Sequence, residues 1–277
     1  MKVSSDVITS RNNPLVKWAA SLSDKKGQRE AECFIAEGEK LTVEALKTGL
    51  PVTYIFICED KKERELSLIS EYMELEIYRD CQVVVLSEGA FEKISTEKAP
   101  QGVISVIKYL DFFRNLNIIY KEEFFIPEGE RAIALYSLRD PGNLGAVIRS
   151  AVGFGVEHIV LSSDSAYIYN PKTVRAAMGS LFKVKITVVD DFSSFVNAAR
   201  ESGRRVFAAE LTENAKSLRD INVKKSDIFM IGNEGHGISG EISEICTGSV
   251  YIPISDKVES LNASVAAAVF MWEQNNL

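Results

Sequence analysis

The chain has 277 residues, which suggests two domains, and 46% of them are hydrophobic, enough for a substantial core and against general disorder. Its formal net charge of -7 argues against any partner held by an overall positive field, nucleic acid included, unless basic residues gather locally. No apolar run approaches the ~18 residues of a membrane helix and no signal-peptide core follows the first residues, so the expectation is a soluble protein of the cytoplasm, away from membranes.

In chain order, the first thirty residues carry Lys2, Arg11, Lys17, Lys25, Lys26 and Arg29 against Asp6, Asp24 and Glu30. They form either a local basic surface or the solvated face of an amphipathic helix. AEGEKLTVEALKTG has helical periodicity and a stop at Gly49. Strand-like runs follow at 52–58 (VTYIFIC), 82–87 (QVVVLS) and 102–108 (GVISVIK). Alternating helices and strands imply an α/β layer structure. YLDFFRNLNIIYKEEFFIPEGERA, rich in aromatics and charges, reads as the boundary. The division is thus 1–110, a linker at 111–129, and 130–277.

The second block opens with a strand at 132–138, turn chemistry at Asp140-Pro141-Gly142, a helix from Leu144 to Phe154 ended by Gly155, and the strand HIVLSS. This is a βαβ unit whose loop lies at the carboxyl end of its strand, where open α/β sheets bind ligands. Further strands read at 184–189, 205–211, 227–232 and 250–254. The last helix, with Val265, Ala266, Ala268, Val269, Phe270 and Trp272, is apolar nearly all round and expected to be buried on more than one side. Cys33, Cys58, Cys81 and Cys246 have neither metal-site spacing nor disulfide-scaffold density and are expected as reduced thiols.

Three polar groups sit where apolar elements end. Asn143 and Arg149 lie ~1.7 turns apart on the helix after the first strand, so they cannot share a face. GNEGHGIS places Glu234 in a glycine-rich loop directly after a strand. Ser260-Leu261-Asn262 opens the last helix. The plainest readings are a helix cap for Asn143, a surface cation for Arg149, a loop charge for Glu234 and a cap for Ser260. Their joint placement at element ends of one domain favours a site. The glycine loop is neither GxxxxGK[ST] nor GxGxxG, which disfavours a P-loop or dinucleotide enzyme. His158 begins a strand and His236 lies in a loop, and neither is given a role.

DPGNLGAVIRSAVGFG, MIGNEGHGIS and IPISDKVESLNASVAAAVFMWE, in this order, closely resemble the three motifs of the SpoU, or TrmH-like, branch of the SPOUT RNA methyltransferases. ITSRNNPLVKWAASL, FIAEGEKLTVEAL and QGVISVIK resemble the N-terminal substrate-binding domain of its ribosomal-RNA members. NPKTVRAAMGSLF also resembles a family segment, though members often have Ser where Ala177 stands. The resemblance implies an α/β catalytic domain tied in a deep trefoil knot, a rare exception to unknotted chains. It also implies a smaller α/β RNA-binding domain with a ribosomal-protein-like fold.

The implied activity is methyl transfer from S-adenosylmethionine to a ribose 2′-hydroxyl of RNA, with ribosomal RNA the favoured substrate, by a homodimer and without a metal. Asn143, Arg149, Glu234, Ser260 and Asn262 are then the catalytic set. Ala209, Glu210, Leu211, Gly232, Asn233, Gly235, Ile252 and Leu261 are the cofactor-binding set. Arg11, Asn12, Lys17, Lys25, Lys26 and Arg29 are the candidate RNA contacts. The family's proposed proton acceptor corresponds to Arg149, but a guanidinium ionises above pH ~12, so a phosphate clamp is the favoured role. Transfer-RNA and antibiotic-resistance methyltransferases, an inactive RNA-binding homologue and a base-methylating SPOUT enzyme are the alternatives.

Overall fold

The computed structural model of the chain describes residues 1–110, 119–120 and 126–275. The strands in chain order are β1 (Lys2–Val3), β2 (Cys33–Glu37), β3 (Val52–Cys58), β4 (Gln82–Leu86), β5 (Val103–Lys108), β6 (Ile119–Tyr120), β7 (Ala132–Leu135), β8 (His158–Ser162), β9 (Lys185–Val189), β10 (Val206–Ala209), β11 (Lys216–Ser217), β12 (Ile228–Ile231) and β13 (Gly248–Tyr251). The helices are α1 (Pro14–Ser21), α2 (Lys25–Ala31), α3 (Glu39–Lys47), α4 (Lys62–Met73), α5 (Glu88–Ile94), α6 (Pro141–Gly153), α7 (Pro171–Ala177), α8 (Phe192–Glu201), α9 (Gly240–Glu244) and α10 (Ala263–Asn275).

Two compact units result: Met1–Asn115 with Tyr167–Phe182, and Leu116–Ala166 with Lys183–Leu277. The sequence division cuts the chain once, whereas Tyr167–Phe182 packs with the first unit. There Gln28, wholly buried, donates to the Tyr169 carbonyl at 3.0 Å, and the Tyr169 ring stacks on Phe34 and Tyr109. Most of the linker expected at 111–129 lies outside the described residues.

The first unit holds a mixed sheet in the order β1-β4-β3-β5-β2, with β3 parallel to β4 and antiparallel to β5. Asn13 caps α1 by accepting from the Leu15 amide, and Pro14 occupies its first turn, where no N–H is needed. Asp24 caps α2. Val16, Ala19, Leu22, Phe56 and Phe91 share the core beneath. The helix read from Ala36 onward begins only at Glu39. Gly38 has φ 112°, outside the helical region, and Ala36 and Glu37 belong to fully buried β2.

All four cysteines are buried and unbridged. Burial lifts Cys58 to about 11 and Cys81 to about 12, far from the thiolate a reactive cysteine needs.

On α4, Glu65 is wholly buried, and neither carboxylate oxygen has a hydrogen-bond partner among the described residues. Burial, with a smaller push from Glu39, raises its pKa from 4.5 to about 7. The folded chain therefore holds this proton more tightly than the unfolded one. The group's stabilising contribution is complete below 4.5 and is lost as pH rises towards about 7. Glu65→Gln is expected to stabilise the protein by about 2 kcal/mol at pH ~8 and to be near neutral at pH ~4.5. Urea unfolding of both proteins at the two pH values checks this; a pH-independent difference would contradict it.

The second unit is built on a sheet of order β11-β13-β10-β12-β7-β8-β9-β6, parallel at each pairing. Near-continuous apolar strands such as IFMI suit a sheet covered on both faces. From β7 the order runs outward to β8 and β9 on one side and to β12, β10 and β13 on the other. The carboxyl ends of β7 and β12 are thus the switch point where such sheets open a crevice. α10 packs against α6 and β12, with Phe270 stacked on Phe229 at 4.7 Å and Trp272 edge-on to Phe154.

Strand ends differ from the sequence reading for local reasons. β7 stops at Leu135 because Ser137 takes φ 53°, a left-handed corner. β13 begins two residues earlier than read and ends three earlier, at Tyr251, before Pro253, which has no N–H for a ladder.

Candidate active site

The chain leaves β7 through Ser137, and Asp140 then caps α6, its Oδ1 accepting from the Asn143 amide at 2.8 Å. This cap, together with Pro141 in the first turn, fixes Asn143 at the head of the helix, directly beyond the switch point. The Asn143 side-chain amide donates to Glu234 Oε1 at 2.8 Å, and its oxygen accepts from the Asn262 amide at 3.0 Å. Asn143 thereby joins two motifs that lie 91 and 119 residues further along the chain in one hydrogen-bonded row.

Asn262 has a second task. Its Oδ1 accepts from the Ser264 amide at 2.9 Å and the Ser264 hydroxyl at 2.6 Å, capping α10. The cap expected of Ser260 is thus made by Asn262, as the cap suggested for Asn143 is made by Asp140. Ser260 is exposed and, among the described residues, makes no hydrogen bond. Arg149 is likewise exposed on α6, with no hydrogen bond or ion pair among the described residues. The structure therefore joins Asn143, Glu234 and Asn262 and leaves Arg149 and Ser260 outside the row.

The loop after β12 is self-organised. Asn233 donates to the Ser137 carbonyl at 2.8 Å and accepts from the amides of Gly235 at 2.8 Å and His236 at 3.0 Å. Its side chain is thus committed to holding the loop that presents Glu234. At Gly232 a Cβ would lie 2.5 Å from the Gly237 carbonyl carbon, so only glycine fits this close backbone approach.

At the end of β10, Glu210 accepts from the hydroxyls of Ser243 and, at 2.7 Å, Ser249. Next to it Leu211 is 78% exposed, and Ile254 is 40% exposed beyond β13. Ala209, Ile252 and Leu261 are half-buried. His158 is buried at the opposite end of the sheet beside Thr187, and burial depresses it to about 4.

In the first unit, Arg11, Asn12 and Lys17 line an open cleft of about 580 Å³ with Ala20, Ser21 and Lys93. Lys25 instead lies over the Tyr167 ring at 4.9 Å. Lys26 pairs loosely with Glu30 at 3.9 Å, and Arg29 is exposed on α2. The six basic-region residues thus divide, three at the cleft and three on α2.

Several contributors escaped the sequence reading. Asp140 was visible only as turn chemistry, although an Asp before Pro and Gly at a helix start is a cap signal. Ser243 and Ser249 carry no local signal, because their meaning comes from a carboxylate on another strand.

The row joins the three SpoU-like motifs at the switch point of a parallel α/β sheet, where such sheets bind ligands. Residues 130–272, over half of the chain, match the SpoU rRNA Methylase family, and the chain belongs to it. Residues 13–105 match the MRM3-like substrate binding domain. The chain is 29% identical over 265 residues to the 23S rRNA (guanosine(2553)-2′-O)-methyltransferase RlmP of Bacillus subtilis, covering 96% of this chain and 97% of that protein. It is 28% identical over 274 residues to the 23S rRNA (uridine(2479)-2′-O)-methyltransferase of Streptomyces viridochromogenes, covering 96% and 90%. The AdoMet-bound rRNA methyltransferase from Sinorhizobium meliloti superposes with a TM-score of 0.78 at 28% identity, over 99% of this chain and 98% of that one.

Proposed function

We propose that this methylase transfers the methyl group of S-adenosylmethionine to a ribose 2′-hydroxyl of ribosomal RNA, working in the cytoplasm as a homodimer. The row Asn143–Glu234–Asn262 at the switch point carries the reading. The names of the two relatives support it, and they also divide the task. Those proteins are named for a guanosine and a uridine at comparable identity, so a shared site suits the ribose chemistry while the base is selected elsewhere.

The residues present fit the cofactor. Exposed Leu211 and Ile254 offer apolar surface to an adenine ring, and the close approach of Gly232 to the Gly237 backbone fixes the shape of the loop after β12. The backbone of Ala209, Leu211, Gly232, Asn233, Gly235, Ile252 and Leu261 would hold it, with the serine-anchored Glu210 carboxylate as acceptor for hydroxyl groups. When bound, S-adenosylmethionine supplies an electrophilic methyl on a sulfonium. Asn143, Glu234 and Asn262 fix one another and orient the groups around the reacting hydroxyl, the condition for an in-line displacement. Ser260 adds a hydroxyl to the same loop. Arg149 clamps an RNA phosphate and stabilises the charge that grows on the ribose oxygen, a task for a fixed cation more than for a base. Incubation with tritiated S-adenosylmethionine and total RNA tests the reading. Label in ribosomal RNA is the expected result; failure to bind the cofactor would sink the proposal.

The cleft beneath Arg11, Lys17 and Lys93 is the surface we assign to RNA phosphates, with Asn12 at its rim and Lys25, Lys26 and Arg29 as outlying charge. Arg11→Glu with Lys93→Glu should weaken RNA binding at all sequences, lower the salt dependence by about 2 in log–log slope, and leave cofactor affinity unchanged. An unchanged slope would remove the cleft from the interface.

Packing of α10 back onto α6 and β12 is consistent with the family's trefoil knot, which tracing of an experimental map would test. Val265 and Trp272 are 49% and 53% exposed on α10, apolar surface that a second copy would cover. Sedimentation should give the mass of two chains, and Trp272→Glu should give one. A monomeric wild-type protein would refute the dimer.

A further inference from the structure

We infer that Asp164 is a positioning residue of the methyl-transfer site, acting through the corner at Ser137. The inference rests on the activity proposed above. Asp164 follows β8 and touches none of the residues in the catalytic row. Its Oδ2 accepts from the Ser137 hydroxyl and its Oδ1 from the Ser162 hydroxyl, both at 2.6 Å. Because Ser162 gives its proton to Asp164, its oxygen is turned to accept the Ser137 amide at 2.7 Å. Ser165 completes the clasp by accepting from the Leu138 amide at 3.0 Å, and the Ala166 amide donates to the Leu138 carbonyl. The guanidinium of Arg139 lies 3.5 Å from Oδ2.

What this clasp holds is an uncomfortable conformation. Ser137 is buried at φ 53°, where a side-chain-bearing residue costs about 1–2 kcal/mol and persists only if its surroundings impose it. Two branches of the site leave from this corner. The Ser137 carbonyl accepts the Asn233 amide, which organises the loop bearing Glu234. Three residues on, Asp140 caps α6 and sets Asn143. One carboxylate thus fixes the separation of Asn143 and Glu234, which meet at 2.8 Å. Burial works against the charge of Asp164, but hydrogen bonds from Ser137, Ser162 and Arg139 outweigh it and keep the carboxyl below its ordinary range. The clasp therefore stays ionised at neutral pH.

Asp164→Ala in the full-length protein tests this. Turnover is expected to fall about 30- to 100-fold, while KM for RNA and affinity for S-adenosylhomocysteine stay within about threefold. In hydrogen exchange, peptides covering 137–145 and 232–239 should open faster, with β9 and β12 unchanged. Ser137→Gly added to Asp164→Ala should recover about tenfold of the lost turnover, because glycine holds positive φ without a clasp. Wild-type turnover and unchanged exchange in Asp164→Ala would overturn the inference. So would a parallel loss of cofactor affinity, RNA affinity and melting temperature without recovery in the double variant. If the wild-type protein methylates no RNA, the activity proposal fails by itself, and the exchange comparison still decides whether Asp164 braces the two loops.

Discussion

Arg149→Ala is expected to lower methyl transfer more than about a thousandfold while leaving cofactor affinity within about twofold. The split follows from its position. Arg149 is exposed on α6, outside the Asn143–Glu234–Asn262 row, and has no partner among the described residues whose loss would disturb the fold. A cation with no counter-charge among the described residues is available to an RNA phosphate and to the charge that develops on the ribose oxygen. Arg149→Lys separates the two candidate roles. A clamp keeps part of its effect with a point charge, though it loses the planar fork. Recovery to within about tenfold of wild type by lysine, with a flat rate between pH ~7 and ~9, would support the clamp. A rate that climbs tenfold per pH unit across that range would argue for proton acceptance by a group at this position. Unchanged turnover in Arg149→Ala would remove the residue from the site altogether.

Gly232→Ala carries the second large effect. The added methyl would sit 2.5 Å from the Gly237 carbonyl carbon and 2.7 Å from both its oxygen and Ile238 Cγ1. Two of these atoms are backbone, held by the paired hydrogen bonds between Asn233 and Gly237, so the strain is relieved only by moving the loop. The expected cost is about 2–4 kcal/mol in stability, with cofactor affinity lost by about 100-fold or more. Gly240→Ala is the control, since a Cβ there meets nothing within 4 Å. It should lie within about 0.5 kcal/mol of wild type. Urea denaturation and titration with S-adenosylhomocysteine measure both quantities. Tight cofactor binding by Gly232→Ala would mean that this turn is not part of the pocket.

Much of the second unit could be read from sequence because its signals are local. The strands of the sheet are short apolar runs, α6 is bounded by turn residues and Gly155, and the motifs bearing Asn143, Glu234 and Asn262 lie at element ends. What escaped depends on partners distant in the chain or on backbone conformation. The clasp of Asp164 on Ser137 spans 27 residues and needs a serine at positive φ, which no composition rule anticipates. The cap of α10 went to Asn262 because the helix starts one residue after it, a boundary that periodicity places only loosely. Buried β2 was partly absorbed into a helical pattern, since AEGEKL reads as periodic until Gly38 breaks it. Tyr167–Phe182 was assigned by its neighbours in sequence, whereas Gln28 reaches Tyr169 across 141 residues. Lys93 completes the basic cleft from α5, far from the N-terminal cluster that drew attention to it.

The chemical identity of the product decides between ribose methylation and every other reading. Ribosomal RNA from cells lacking this protein, incubated with the purified protein and S-adenosylmethionine, is digested to nucleosides and analysed by mass spectrometry beside the Arg149→Ala reaction. The expected result is one 2′-O-methylnucleoside from large-subunit RNA that is absent with the variant. A methyl group found on a base, or no methylated nucleoside despite cofactor binding, would contradict ribose methylation of ribosomal RNA.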